Sequence, residues 1–197
     1  AKDVGADAKY LGQKMIEIEY IDNALSYEGN DFVFKAYEYA ETNECPALSV
    51  SWYGATAYCN WLSEQEGLNP AYDLSTWELI RTDQSTLEGY RLPASPEWEY
   101  AARGGAEGTA TTYAGSDVLK EVAWYGENSE DHVHRVGEKK ANELGLHDMS
   151  GNVREWTNTQ SGSALIQRGG DWVGAALYCQ VDFDSSGQVK AGYGRDK

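Results

Sequence analysis

Positive charge is scarce in this chain: 16 Lys and Arg face 32 Asp and Glu, giving a formal net charge of −16 and a pI near 4.5. A surface that binds phosphate needs clustered Lys and Arg. The only such feature is the isolated pair Lys139-Lys140, so nucleic acid is excluded as a partner. Cysteine is nearly as thin. The three residues at 45, 59 and 179 cannot close a disulfide framework, and their spacing matches no zinc site. No apolar run approaches the roughly 20 residues that span a bilayer, so a soluble folded part is expected. A Gly-x-Ser-x-Gly elbow, a phosphate-binding loop, an internal repeat and a low-complexity linker are all missing. The chain opens Ala1-Lys2-Asp3 with no signal segment, which leaves export open.

What is present is aromatic: 7 Trp and 14 Tyr in 197 residues, with 41 % hydrophobic residues overall. So many large rings offset the entropy of ordering the chain and exclude disorder. A chain of this length buries roughly 70 % of its unfolded surface, so a single domain over residues 1–197 is expected. Residues 1–13, Gly and Ala with scattered charge, read as a flexible lead-in. Ile16, Ile18 and Tyr20 alternate with Glu17 and Glu19, the period of a strand with one wet face, and Phe32, Phe34 and Ala36 alternate likewise after a turn at Gly29-Asn30.

From Tyr53 to Glu66 the period changes. Ala55, Tyr58, Cys59 and Leu62 fall at three- and four-residue spacing, which predicts an amphipathic helix stopped by Gly67. A second helix is predicted from Ser95 as cap, Pro96 in the first turn, Glu97 and Glu99 near the positive end, and Gly104-Gly105 as terminator. Beyond about residue 105 there are only short segments punctuated by Gly, Asn and Asp. Two helices beside many short strands predict a loop-rich α+β domain.

Three segments in order are more specific. They are Pro46-Ala47-Leu48-Ser49-Val50-Ser51-Trp52 with Tyr58-Cys59-Asn60-Trp61-Leu62; Tyr90-Arg91-Leu92-Pro93-Ala94-Ser95-Pro96-Glu97-Trp98-Glu99-Tyr100-Ala101-Ala102-Arg103-Gly104-Gly105; and Gly145-Leu146-His147-Asp148-Met149-Ser150-Gly151-Asn152-Val153-Arg154-Glu155-Trp156 with Arg168-Gly169-Gly170-Asp171-Trp172. Over roughly residues 46–180 the chain resembles the formylglycine-generating enzyme (sulfatase-modifying factor) family, which implies a C-type-lectin-like fold. Arg154 departs from the pattern, since the family usually has Trp or another bulky residue there. As scaffold, Trp52, Trp61, Trp98, Trp156 and Trp172 are expected to fill a core, with Arg91, Arg103 and Glu99 pairing in loops.

Active enzymes of the family hold copper(I) with two cysteines five residues apart, because soft thiolates select that ion. Counted from Gly169, the resemblance places those positions at Gly174 and Cys179, so one thiolate is missing, and Cys45 and Cys59 lie in unrelated segments. Cys179 then reads as a small buried residue. The iron-dependent relatives use histidines from an added domain for which this chain has no room; His132, His134 and His147 read as polar loop residues. The calcium-dependent sugar-binding triplets of true lectins are absent too. No catalytic residue, metal or cofactor is expected, and a copper-dependent oxidase or related oxygenase of the same family is the alternative.

Residues 173–197 differ from everything before them. Asp182, Asp184 and Asp196 balance Lys190, Arg195 and Lys197, so the upstream residues carry the whole −16. Tyr178, Phe183 and Tyr193 stand among Ser185, Ser186, Gly187 and Gln188, the mixture of rigid rings and adaptable small residues found in recognition loops. The register Arg-Gly-Gly-Asp-Trp, then Ala176 and Cys179, resembles the variable proteins of diversity-generating retroelements, in which adenine-directed mutagenesis rewrites selected codons. That resemblance implies a non-enzymatic, diversified ligand-binding surface over 173–197. Its expected contact residues are Val173, Gly174, Ala175, Leu177, Tyr178, Asp182, Phe183, Asp184, Ser186 and Tyr193. The three rings would serve as anchors and the aspartates would set polar specificity. It further implies a monomer that binds a variable protein or cell-surface ligand, displayed on a bacterial surface through an N-terminal lipid anchor that this chain does not contain.

Overall fold

The computed structural model describes residues 9–10, 12–16, 25–28, 31–34, 44–81 and 83–185. Their strands form four separate two-stranded antiparallel ladders: β1 (Lys9–Tyr10) with β2 (Gln13–Lys14), β3 (Leu25–Glu28) with β4 (Asp31–Phe34), β5 (Tyr72–Asp73) with β6 (Glu78–Leu79), and β7 (Glu155–Ser161) with β8 (Ala164–Arg168). Part of the expected lead-in is therefore paired, as β1 and β2. Ile16 bridges Val50, while Ile18, Tyr20 and Ala36 lie outside the described residues. The β7–β8 hairpin is the longest ladder. It runs from Glu155 opposite Arg168 to Ser161 opposite Ala164, with an irregularity between Trp156 and Gln160.

The first helix, α1, spans Trp52–Gln65. Ser51 caps it by accepting the Gly54 N–H (3.0 Å), and the Ser51 N–H donates to the Met15 carbonyl (2.9 Å). Its inward face differs from the apolar stripe the spacing predicts. Trp52, Thr56, Asn60 and Ser63 are buried, whereas Tyr58 is 58 % exposed. Trp61, expected in the core, is 50 % exposed and lies beside Tyr58 instead, with ring centroids 5.6 Å apart. The reason is hydrogen bonding. Asn60 accepts the N–H groups of Ala71 and Tyr72 and donates to the Tyr72 carbonyl (2.7 Å), and Ser63 Oγ accepts the Tyr90 N–H (2.8 Å). Buried polar side chains thus organise irregular backbone that would otherwise be left unpaired.

The second helix, α2, spans Ser95–Ala102, and Ala94 rather than Ser95 occupies the cap position. Glu97 reaches back to the Ala94 N–H (2.8 Å), so half of a capping box survives without a capping hydroxyl. The Ser95 N–H instead donates to Thr159 Oγ1 on β7 (2.8 Å). A third, four-residue helix, α3 (Leu119–Val122), adds to the two that the periodicity predicts. It is too short to leave a helical period in the sequence.

Four of the five expected core tryptophans are buried: Trp52, Trp98, Trp156 and Trp172. They divide among small clusters. Trp52 and Trp156 pack with Ala71, Tyr72 and Leu165; Trp98 packs with Ala102, Ala114, Met149 and Val181; Trp172 packs with Leu48 and Val133. Ion pairs brace the second motif segment and tie it to the third. Arg103 pairs with Glu99 as expected, Arg91 pairs with Glu97 rather than Glu99, and the buried Arg168 donates to Glu99 Oε2 (2.6 Å) from the opposite side.

Candidate functional site

The Gly151-Asn152 and Gly169-Gly170 motifs create a platform for the segment that follows them. Asn152 is fully buried and stitches three loops: its side chain bonds both the N–H and the carbonyl of His134, its N–H donates to the Trp124 carbonyl, and its own carbonyl accepts the Trp172 N–H. The Gly151 N–H donates to the Gly169 carbonyl (2.7 Å). Gly170 has φ +74°, and a Cβ there would lie 2.8 Å from the Cys179 Sγ and 2.9 Å from the Tyr178 backbone, so only glycine lets the chain double back this closely.

From Trp172 to Ser185 the backbone is held from outside the segment. Ser129 Oγ donates to the Trp172 carbonyl (2.6 Å), the Gly126 N–H to the Gly174 carbonyl (2.9 Å), and Ser150 Oγ to the Cys179 carbonyl (2.8 Å). Arg168 Nη1 donates to the carbonyls of Asp182 (3.3 Å) and Phe183 (2.7 Å), and the Ser185 N–H to the Gln167 carbonyl (3.2 Å). None of these bonds uses a side chain of residues 173–184.

The expected contact residues fall on this held segment as follows. Val173, Ala175, Leu177, Tyr178 and Asp182 are exposed, with Leu177 at 54 % and Tyr178 at 37 %. Phe183 and Asp184 are half-buried, and Tyr178 meets Phe183 edge-on with centroids 5.0 Å apart. Gly174 is buried, and a Cβ on it would lie 3.0 Å from Asp171 Oδ1. Ser186 and Tyr193 lie outside the described residues. The intervening positions Cys179, Val181 and Ser185 point inward.

Beside this face opens a cavity of about 420 Å³. One wall is the 47–50 segment; the others are Trp156, Trp172 and Tyr178, with Val173 and Gly174 at its edge. Ser49, Asp171 and two further polar residues outside the expected contact set also line it. Arg154 Nε donates to Asp171 Oδ2 (2.8 Å), and its guanidinium lies over the Tyr178 ring, 5.9 Å from the centroid. Gln167 on β8 is the other. Arg154 carried a signal, since it departs from the family pattern. Gln167 carried none, because its cross-strand position opposite Trp156 emerges only in the folded hairpin.

Cys179 is fully buried, and burial pushes its thiol up to about 12, with nearby Asp171 adding to the shift. A thiolate, the form that binds copper, is therefore strongly disfavoured there. Each histidine ring meets a backbone carbonyl: His134 that of Ser129 (2.9 Å), His147 that of Lys139 (2.7 Å), and His132 that of Glu130. No group of three or more His, Cys, Asp or Glu side chains poised for a metal occurs among the described residues, and no helix among them is long and apolar enough to cross a membrane.

Residues 20–194 match the sulfatase-modifying factor enzyme 1-like domain. Among curated relatives, chaperone protein LppX of Paenibacillus barcinonensis is 35 % identical over an alignment covering 73 % of this chain and 66 % of that protein. The inactive C-alpha-formylglycine-generating enzyme 2 of Bos taurus is 31 % identical, covering 69 % of this chain and 41 % of that protein. The chain thus spans less than two thirds of the length of these relatives. Among solved structures, Treponema denticola variable protein 1 superposes with a TM-score of 0.63 at 33 % identity, covering 76 % of this chain and 67 % of that one. CarF superposes with a TM-score of 0.62 at 29 % identity, covering 74 % and 63 %. The α+β, C-type-lectin-like architecture expected from the motifs is the one these neighbours share.

Proposed function

Because the chain belongs to the sulfatase-modifying factor enzyme 1-like family, we propose that it acts as a non-enzymatic ligand-binding member of that family, with a diversified C-terminal surface of the kind produced by a diversity-generating retroelement. In this reading residues 1–197 form one domain, 173–197 are the variable region, and binding is carried by the exposed side chains from Val173 to Asp184, with Ser186 and Tyr193 beyond them. One observation carries the reading. The backbone of this segment is held by Arg168, Ser129, Ser150 and Gly126, so the shape of the face does not depend on which side chains project from it. A scaffold built this way tolerates replacement at exposed positions.

The likeness to Treponema denticola variable protein 1 and to an inactive formylglycine-generating enzyme supports the same reading. So does the pairing of Gly174 with a fully buried, strongly protonated Cys179 in place of two accessible thiolates. The likeness to a chaperone points to a partner that is itself a protein. Display on a bacterial cell surface through a lipid anchor follows from the resemblance to the variable proteins.

Sequencing the 3′ end of the gene and its flanks across isolates tests the proposal. A near-copy of the segment encoding residues 168–197 that differs only at adenines is the expected result. An invariant tail without such a copy refutes diversification. Formylglycine produced from a cysteine-containing sulfatase peptide with copper and oxygen, in a reaction that requires Cys179, would refute the non-enzymatic assignment.

A further inference from the structure

The cavity beside Tyr178 is lined by Ser49, Arg154, Gln167 and Asp171 as well as by aromatic and aliphatic side chains, and two of its polar groups are unused. Arg154 spends only its Nε on Asp171; among the described residues neither terminal nitrogen has a hydrogen-bond partner. The guanidinium is a planar fork, and its remaining N–H groups match the two oxygens of a carboxylate. Gln167 is 3 % exposed, and its backbone is paired with Ser185, yet its carboxamide has no partner among the described residues. The residue is buried, but its amide atoms are not among the fully buried atoms left without a partner, so they face the cavity, where a ligand can replace water as their partner. Of the three rings that line the cavity, Tyr178 is open to a ligand at 37 % exposed, whereas Trp156 and Trp172 are largely buried in the core. At about 420 Å³ the cavity falls within the roughly 300–1,000 Å³ range of small-ligand pockets, and Val173 and Tyr178, which line it, are exposed and suit a ligand that continues past it.

We propose that this cavity binds the C-terminal aromatic residue of a peptide or protein partner, with its carboxylate held between Arg154 and Gln167 and its ring against Tyr178. The proposal rests on the 173–184 face being a binding surface and names what that surface presents at its centre. The −16 charge of the chain does not prevent this. Repulsion from distant carboxylates is screened beyond about 8–10 Å at physiological salt, whereas a contact guanidinium acts inside that range. Asp171 is already engaged by Arg154 Nε and by the Val173 N–H, which orients the fork instead of competing for its outer edge.

The test uses the full chain and four probes: N-acetyl-Gly-Phe as free acid and as C-terminal amide, N-acetyl-Gly-Ala acid, and 3-phenylpropionate. Binding is read by tryptophan fluorescence and calorimetry. The free acid of the Phe probe should bind about tenfold to a hundredfold more tightly than its amide, the worth of a charge-assisted pair of hydrogen bonds. It should also bind more tightly than both the Ala acid and 3-phenylpropionate, which lack the ring and the preceding peptide respectively. Gln167→Met keeps volume and forfeits no hydrogen bond of the folded protein; Arg154→Lys keeps the charge beside Asp171 and loses the fork. Each should cut the acid-over-amide preference at least threefold with an unchanged melting temperature. Equal binding of acid and amide, no saturable binding of either, or a preference that survives both variants overturns the proposal. Tight binding of 3-phenylpropionate, equal to the peptide acid, overturns the C-terminal source. If acid and amide behave alike while substitutions at Leu177 and Tyr178 abolish binding of a partner selected on the whole protein, this inference fails and the surface reading stands.

Discussion

Replacing Arg168 by methionine removes three interactions without opening a large void. The side chain is 2 % exposed and lies over the Trp98 ring, a position an unbranched thioether can fill. Lost are the charged bond to Glu99 Oε2 at 2.6 Å and the bonds to the carbonyls of Asp182 and Phe183. All three are donated by an ionised guanidinium, and such a hydrogen bond contributes about 1.5–3 kcal/mol. The upper end of the sum does not apply, because Glu99 is partly exposed and keeps Arg103, so no buried charge is stranded. A loss near the lower end, about 4.5 kcal/mol, remains, or roughly 9–18 °C in melting temperature for a domain of this size. Calorimetry at pH 7 measures it. Because the lost bonds hold the tail backbone, ligand binding should fall too, although Arg168 lies beneath the surface. A shift below about 2 °C with binding intact would refute the claim that this side chain shapes the face.

Alanine at Val173 and Leu177 together should move the melting temperature by less than about 4 °C, since exposed substitutions cost within about 0.5 kcal/mol each, while partner binding falls; the reverse pattern would make them structural. Gly170→Ala should destabilise by more than about 2 kcal/mol, because it combines a positive φ with a Cβ 2.8 Å from the Cys179 sulfur, and denaturant titration reads it. Cys179 should resist iodoacetamide at pH 8 in the folded protein, as a buried thiol pushed up to about 12 presents almost no thiolate; rapid alkylation seen by peptide mapping would contradict its burial. The Arg91 hydrogen bond holds Glu97 below the usual carboxylate range. Burial pushes Glu99 up, but the bonds from Arg103 and Arg168 outweigh it and leave its carboxyl lowered too. Lowered folded values mean stability that is present above the unfolded value of about 4.3 and lost as pH falls through the folded one, so melting temperature should drop below about pH 4, and less steeply in Glu97→Gln. Glu155 has the opposite sign: burial raises it to about 7, so stability should decline as pH rises from about 4.5 to about 7, and Glu155→Gln should remove that decline.

The amino-acid sequence alone determined the family, the two main helices and the cluster-forming tryptophans, because these rest on local signals: capping chemistry, Gly terminators and motif spacing. It also marked out the segment after Trp172 by composition. Where local periodicity met tertiary demand, tertiary demand won. Helix α1 turned Asn60 and Ser63 inward and left Tyr58 and Trp61 in water, because irregular backbone at Ala71, Tyr72 and Tyr90 needed hydrogen-bond partners. The cavity was decided only by folding. Arg154, Gln167 and Asp171 are separated along the chain, and the β7–β8 register together with the Gly169-Gly170 turn brings them to one wall. Which groups are left unpaired there depends on every other hydrogen bond around them, and no sequence pattern encodes that sum.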